Sequence, residues 1–160
     1  YAGYHASPDV SPGAWAAFRE GSFLKGDYTF LAERAPDRSV ERKNAGPEAQ
    51  RYGAWARQWP KGEAARVVLN PAFARSLDDN RAEIRVVYLD EGSGRFLIEG
   101  LGARRAVALE GSGRWRTATV PVEAARSDAG GATIAVRSDN GPLTLHMIEA
   151  VRGRQNDAAR

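Results

Sequence analysis

The sequence predicts an all-β domain, and three observations carry that prediction. Its 17 glycines and 8 prolines are spread as punctuation between short apolar segments, the way turns separate strands. Within those segments apolar and polar residues alternate with a period of two, the repeat of an extended chain. Beyond residue 65 the segments follow one another too closely, with turn signals between them, to leave room for βαβ crossover helices. A sandwich or barrel is the expected architecture.

From the N terminus, residues 1–8 (Tyr-Ala-Gly-Tyr-His-Ala-Ser-Pro) read as part of a linker over 1–12, ahead of a single domain at 13–152. A start at Tyr1 without a leader pattern implies either a removed leader or a sequence beginning inside a longer protein, and the linker-like segment favours the second. Residues 15–19 and 27–33 look like strands flanking turns at Gly21 and Gly26, and 34–50 form a long polar connection. Tyr52, Trp55 and Trp59 are spaced for one helical face. Gly53 and Pro60 weaken a helix there, and in β surroundings a strand over 51–57 is preferred. Residues 66–69 make a short strand, and Asn70-Pro71 is placed to cap a helical turn through 72–75.

The second half is more regular. The run Ala-Glu-Ile-Arg-Val-Val-Tyr-Leu-Asp at 82–90 sets Ile84, Val86 and Tyr88 on one strand face and Val87 and Leu89 on the other. Apolar residues on both faces imply burial on both. Glu91-Gly-Ser-Gly94 is a turn and 95–99 returns with Phe96 and Ile98 together, which predicts a hairpin. Strands follow at 105–109, at 114–122 with Pro121 marking an edge, and at 132–137 around Ile134 and Val136. After an Asp139-Asn-Gly141 turn the last strand runs over 142–152, with Leu143, Leu145, Met147 and Val151 on a shared face. Unbroken alternation would carry Glu149 inward with them, where it needs an arginine or a metal as partner. Residues 153–160 are a polar tail.

At 160 residues with 42% hydrophobic composition, one domain buries about 68–70% of its unfolded surface and needs no staple. The absence of cysteine excludes a disulfide scaffold, a thiolate metal site and a cysteine nucleophile. No run of about 18 apolar residues is present, so no membrane span is expected. The formal charge is +3, but the arginines are scattered among acidic residues without the clustering that phosphate binding needs, and no nucleic-acid partner is expected.

Three stretches together resemble a known family. They are Val-Tyr-Leu-Asp-Glu-Gly-Ser-Gly-Arg-Phe at 87–96, Gly111-Ser-Gly-Arg-Trp-Arg-Thr117, and Leu143-Thr-Leu-His-Met-Ile-Glu-Ala-Val151. They are similar to the galactose-binding-like jelly roll at the C termini of bacterial glycoside hydrolases and related secreted enzymes. The resemblance covers 66–152 and implies an antiparallel two-sheet β-sandwich, secreted or periplasmic, attached to a catalytic domain. Many members of that family bind sugars through loops at one end. Some hold a structural calcium, and others bind nothing and brace a neighbouring domain.

Sugar binding needs flat apolar platforms beside polar groups that sort hydroxyls. Trp59 beside Pro60-Lys-Gly62 is the leading candidate, with Trp55 and Trp115 next, though tryptophans more often pack in cores. Arg57 and Arg116, with Arg51 and Arg114, flank those rings and suit a carboxylate, so an acidic poly- or oligosaccharide is among the expected partners. Asp90, at the turn that continues through Glu91-Gly-Ser-Gly94, offers a further polar group. For calcium the weak candidates are Asp90 and Glu149, with Asp78-Asp-Asn80 and Asp139-Asn140 explained equally by turn chemistry.

Catalysis finds little support. His5 lies in the linker and His146 in mid-strand, and no Gly-x-Ser-x-Gly or His-x-x-x-His motif is present. A two-carboxylate glycosidase needs acids that converge in space, which the sequence does not decide. The expectation is therefore a non-catalytic carbohydrate-binding module without a cofactor, the alternative being an accessory domain that braces an enzyme without holding sugar.

Overall fold

The computed structural model describes the backbone of Gly13–Arg19, Ser22–Lys25 and Phe30–Ala32, and residues 56–127 and 132–153 with their side chains. The strands are β1 (Gly13–Arg19), β2 (Ser22–Lys25), β3 (Phe30–Ala32), β4 (Arg57–Trp59), β5 (Ala64–Leu69), β6 (Ala82–Leu89), β7 (Arg95–Gly100), β8 (Ala103–Ala108), β9 (Trp115–Val122), β10 (Ala132–Ser138) and β11 (Leu143–Arg152). Among the described residues one helix, α1 (Pro71–Leu77), interrupts them.

They form two antiparallel sheets. A six-stranded sheet runs β2-β1-β11-β6-β9, with β4 joined to β11, and a five-stranded sheet runs β3-β5-β10-β7-β8. Strands β4 and β1 share one edge of β11 end to end, since β4 pairs with residues 143–145 and β1 with 147–151. The expected two-sheet sandwich is the observed one.

Alternation explains the core between the sheets. Val67 and Leu69, Ile84 and Val86, Phe96 and Ile98, Ile134 and Val136, and Leu145 and Ile148 are all buried in one cluster. Each such side chain contributes about 1.5–3 kcal/mol on leaving water. The helix closes one end of the sandwich with Phe73, Ala74 and Leu77. Its start is the one the sequence suggests, with Asn70 Oδ1 accepting the Ala72 and Phe73 N–H groups at 2.9 and 3.3 Å.

Two expectations are corrected. The turn after β6 does not close a hairpin, because β6 and β7 belong to different sheets. Strand β6, apolar on both faces, takes β11 and β9 as neighbours. The Asp90 N–H donates to the Arg114 carbonyl at 2.9 Å and prolongs the β6–β9 pairing, so the chain crosses to the other sheet. Gly92 and Gly94 make that passage at φ of 79° and 87°.

The second correction concerns β11. A bulge between Leu145 and Met147 resets its alternation. Leu143 and Leu145 point inward before it and Ile148 and Ala150 after it. Met147, Glu149 and Val151 are therefore turned to the outer face, away from Leu145. There Glu149 meets its register partner Arg85 at 3.2 Å.

Candidate functional site

The loops joining the strands at 60–63, 90–94, 109–114 and 139–142 gather at one end of the sandwich. Gly62 N donates to Ser138 O, Leu109 N to Gly94 O, and Arg95 N to the Asn140 side chain. This is the end to which the sequence assigns the sugar site, and most of the expected residues do stand there. Register sets Arg57 opposite Leu145, Leu145 opposite Tyr88, and Tyr88 opposite Arg116.

Their side chains, however, are occupied with the fold. Trp59 is 2% exposed in the main core, so the ring expected at a loop offers no face to a ligand. Trp115 is 6% exposed. It packs on the outer face of the six-stranded sheet with Ala56, Val87 and Leu89, edge-on to the buried His146. Both rings are bulky enough that burial outweighs their use as platforms. Arg57 is also buried, on the same face of β4 as Trp59. Trp55, Arg51 and His5 lie outside the described residues, as does the side chain of Trp15.

Asp90 is wholly buried. Its carboxylate accepts the N–H groups of Glu110, Gly111 and Ser112 at 2.8, 3.2 and 3.1 Å and the Ser112 hydroxyl at 2.6 Å. Arg116 approaches the same group at 3.5 Å and reaches Glu110 at 3.3 Å. Burial pushes the carboxyl pKa upward, but the hydrogen bonds from Ser112, Glu110 and Gly111 outweigh it and hold it below the usual aspartate value. Asp90 thus fixes the 110–113 loop.

A shell of donors does not fit a cation, and neither does Glu149 beside the Arg85 guanidinium. Asp78 accepts the Ser127 N–H and hydroxyl at 2.8 Å, and Asp139 pairs with Arg137 at 3.1 Å. Among the described residues no group of three His, Asp or Glu side chains stands together as a metal site.

An open groove of about 600 Å³ lies elsewhere, toward the opposite end, on the outer face of the five-stranded sheet. That volume is within the range of about 300–1,000 Å³ usual for ligand sites. Ala132, Ile134 and Val136 of β10 face the core, so Thr133 and Ala135 face outward and floor the groove. One wall is the pair Glu99 and Arg104, neighbours across β7 and β8 with 3.9 Å between Nε and Oε1.

The lip is the β7–β8 turn, Leu101-Gly102, with φ of 53° and 83°. A two-residue turn of that shape suits Asn-Gly. Leucine costs roughly 1–2 kcal/mol in the left-handed region, and burial of its side chain to 2% exposure offsets the cost.

The other wall is Arg126 and Ser127. It is stapled to the end of α1 by Ser127 on Asp78 and by Asp79 N on Ala125 O at 2.9 Å. The Arg126 guanidinium is exposed and has no carboxylate partner among the described residues.

Among the described residues the groove presents two cations, Arg104 and Arg126, against one carboxylate, Glu99, beside the hydroxyls of Thr133 and Ser127. These groups suit hydrogen bonding to hydroxyls and carboxylates. Sequence reasoning missed this site because arginine, threonine and alanine separated along the chain form no motif, and no aromatic residue is among its described lining.

The chain superposes on the CBM35 from Cellvibrio japonicus Abf62 with a TM-score of 0.50 at 17% identity, covering 87% of this chain and 94% of that one. The fold is a galactose-binding-like β-sandwich. Weaker matches include a family GH115 4-O-methyl-α-glucuronidase, BtGH115A, with specificity for decorated arabinogalactans (TM-score 0.47, 14% identity, 77% of this chain and 16% of that one). Another is the catalytic unit of a GH87 α-1,3-glucanase from Streptomyces thermodiastaticus (TM-score 0.46, 12% identity, 89% and 26%). The sandwich therefore spans a small part of those longer enzymes and nearly the whole of the CBM35. At such identities the likeness concerns architecture alone. No protein-family model and no curated protein matches the sequence.

Proposed function

We propose that the sandwich over 13–152 is a non-catalytic carbohydrate-binding domain of a larger exported protein, secreted or periplasmic, that carries a linked catalytic domain. Its ligand is a poly- or oligosaccharide with acidic groups. The groove on the five-stranded sheet is the supporting observation, being open, flanked by arginines and floored by short side chains. Two further facts agree with this reading. The architecture is shared with a CBM35, and no helix among the described residues is long and apolar enough to cross a membrane.

In this reading Arg126 takes a carboxylate with a charge-assisted hydrogen bond, while Thr133, Ser127 and Glu99 sort the hydroxyls around it. Trp59, Trp115, Arg57, Asp90 and Arg116 serve the binding indirectly, by holding the opposite end of the sandwich rigid.

Affinity electrophoresis through gels containing neutral or acidic polysaccharides tests the proposal. Retardation by an acidic polysaccharide is expected, reduced by Arg126→Gln and unchanged by Arg114→Gln at the loop end. Unaltered mobility in every gel removes carbohydrate binding and leaves the bracing role.

A further inference from the structure

Resting on that reading, we propose that the groove is one half of a wider surface whose other half is Arg66, so that the domain selects chains with acidic groups on two or more sugar units over chains carrying one. Register supplies the geometry. Arg66 on β5 is opposite Ala135 on β10, Ala135 opposite Glu99 on β7, and Glu99 opposite Arg104 on β8. All four face outward, because Ala65 and Val67, Ile134 and Val136, and Ile98 on the same strands face the core.

Three strand spacings of about 4.8 Å set the Arg66 and Arg104 backbones roughly 14 Å apart, a span greater than one sugar ring. Arg126 stands toward the Arg104 side of that row, its N–H donating to the Leu101 carbonyl of the β7–β8 turn at 3.1 Å. Ala135 projects a single methyl between the long side chains on either side, so the groove floor continues beneath Arg66.

Charge points the same way. Arg66 is exposed and, like Arg126, has no ion pair among the described residues. Arg137, the next outward residue on β10, is held by Asp139 at 3.1 Å, which leaves Arg66 as the uncommitted cation on that bank. Two unpaired guanidinium groups flanking a low floor fit a ligand with two separated anionic groups. A nucleic acid strand also carries repeated charge, but its binding draws on aromatic rings that stack bases, and the described lining has none.

Titration calorimetry on the wild type, Arg66→Gln and Arg126→Gln tests this with four ligands. They are an oligouronate, a neutral oligosaccharide of equal length ending in one uronate, the fully neutral oligosaccharide and an oligothymidylate. The oligouronate is expected to bind most tightly. Arg66→Gln should weaken it roughly tenfold, the loss of one charged hydrogen bond, and leave the singly acidic ligand unchanged. Arg126→Gln should weaken both. A matching melting midpoint shows that Arg66→Gln, an exposed change, keeps the fold.

The inference is overturned if Arg66→Gln affects neither acidic ligand or both alike, or if the oligothymidylate binds as well as the oligouronate. Equal binding of the neutral oligosaccharide overturns it while sparing carbohydrate binding. Failure of all three sugars removes both.

Discussion

Asp90 shows how a single side chain holds a loop in place. Its carboxylate is buried, and its oxygens are met by backbone N–H groups and a serine hydroxyl. Asp90→Asn keeps the shape but loses the charge and turns an amide toward donors. The expected cost is about 2–3 kcal/mol, the value of charged hydrogen bonds, read as a lower midpoint in denaturant. The pH dependence has a definite sign. Because the folded carboxyl lies below its unfolded value of 3.8, its contribution is present above that pH and is lost as pH falls through the folded pKa. Acid melts should show a steeper loss in the wild type than in Asp90→Asn. Glu149 behaves in the opposite sense. Burial, partly offset by Arg85, raises its pKa above 4.5. Its contribution is therefore present below that value and declines as pH rises through the folded pKa, a decline that Glu149→Gln should abolish.

At the scale of elements, the loops linking the sheets depend on contacts between them. Gly92 and Gly94 both have positive φ, but a Cβ on Gly92 meets nothing within 4 Å whereas one on Gly94 falls 2.5 Å from the Asn140 side chain. Gly92→Ala should cost about 1 kcal/mol from backbone conformation alone, and Gly94→Ala measurably more, by equilibrium unfolding. Equal costs would mean that the Asn140 contact adds nothing.

Strand positions were legible in the sequence because alternation is local. The β5, β6, β9, β10 and β11 segments stand close to where the pattern places them. Partnership was not legible, since it is decided across the chain. The turn at 91–94 has hairpin composition, yet β6 finds better neighbours in β9 and β11. The β11 bulge has no signature of its own, so unbroken alternation puts Glu149 on the wrong face. Trp59 and Trp115 are buried rather than displayed because the area that makes an indole a good platform also makes it good core. The groove was invisible for the complementary reason, its floor being the short side chains of Thr133 and Ala135.

For the whole molecule, two sheets bury a shared interior and leave two outer faces that differ in character. The six-stranded sheet carries a second small cluster around Trp115, while the five-stranded sheet presents arginines around a trough. With a formal charge of +3, binding of an acidic polysaccharide should weaken as sodium chloride rises from about 0.05 to 0.5 M, where the screening length falls to a few ångströms. Fluorescence anisotropy of a labelled oligouronate reads that dependence, and affinity insensitive to salt would exclude guanidinium recognition.

The most direct measurement is a nitrogen-15 NMR titration of the full chain with an acidic oligosaccharide. Amide shifts should concentrate at Glu99, Arg104, Arg126, Thr133 and Ala135, with the 90–94 and 109–114 loops unmoved. Shifts confined to those loops would contradict a binding groove on the five-stranded sheet.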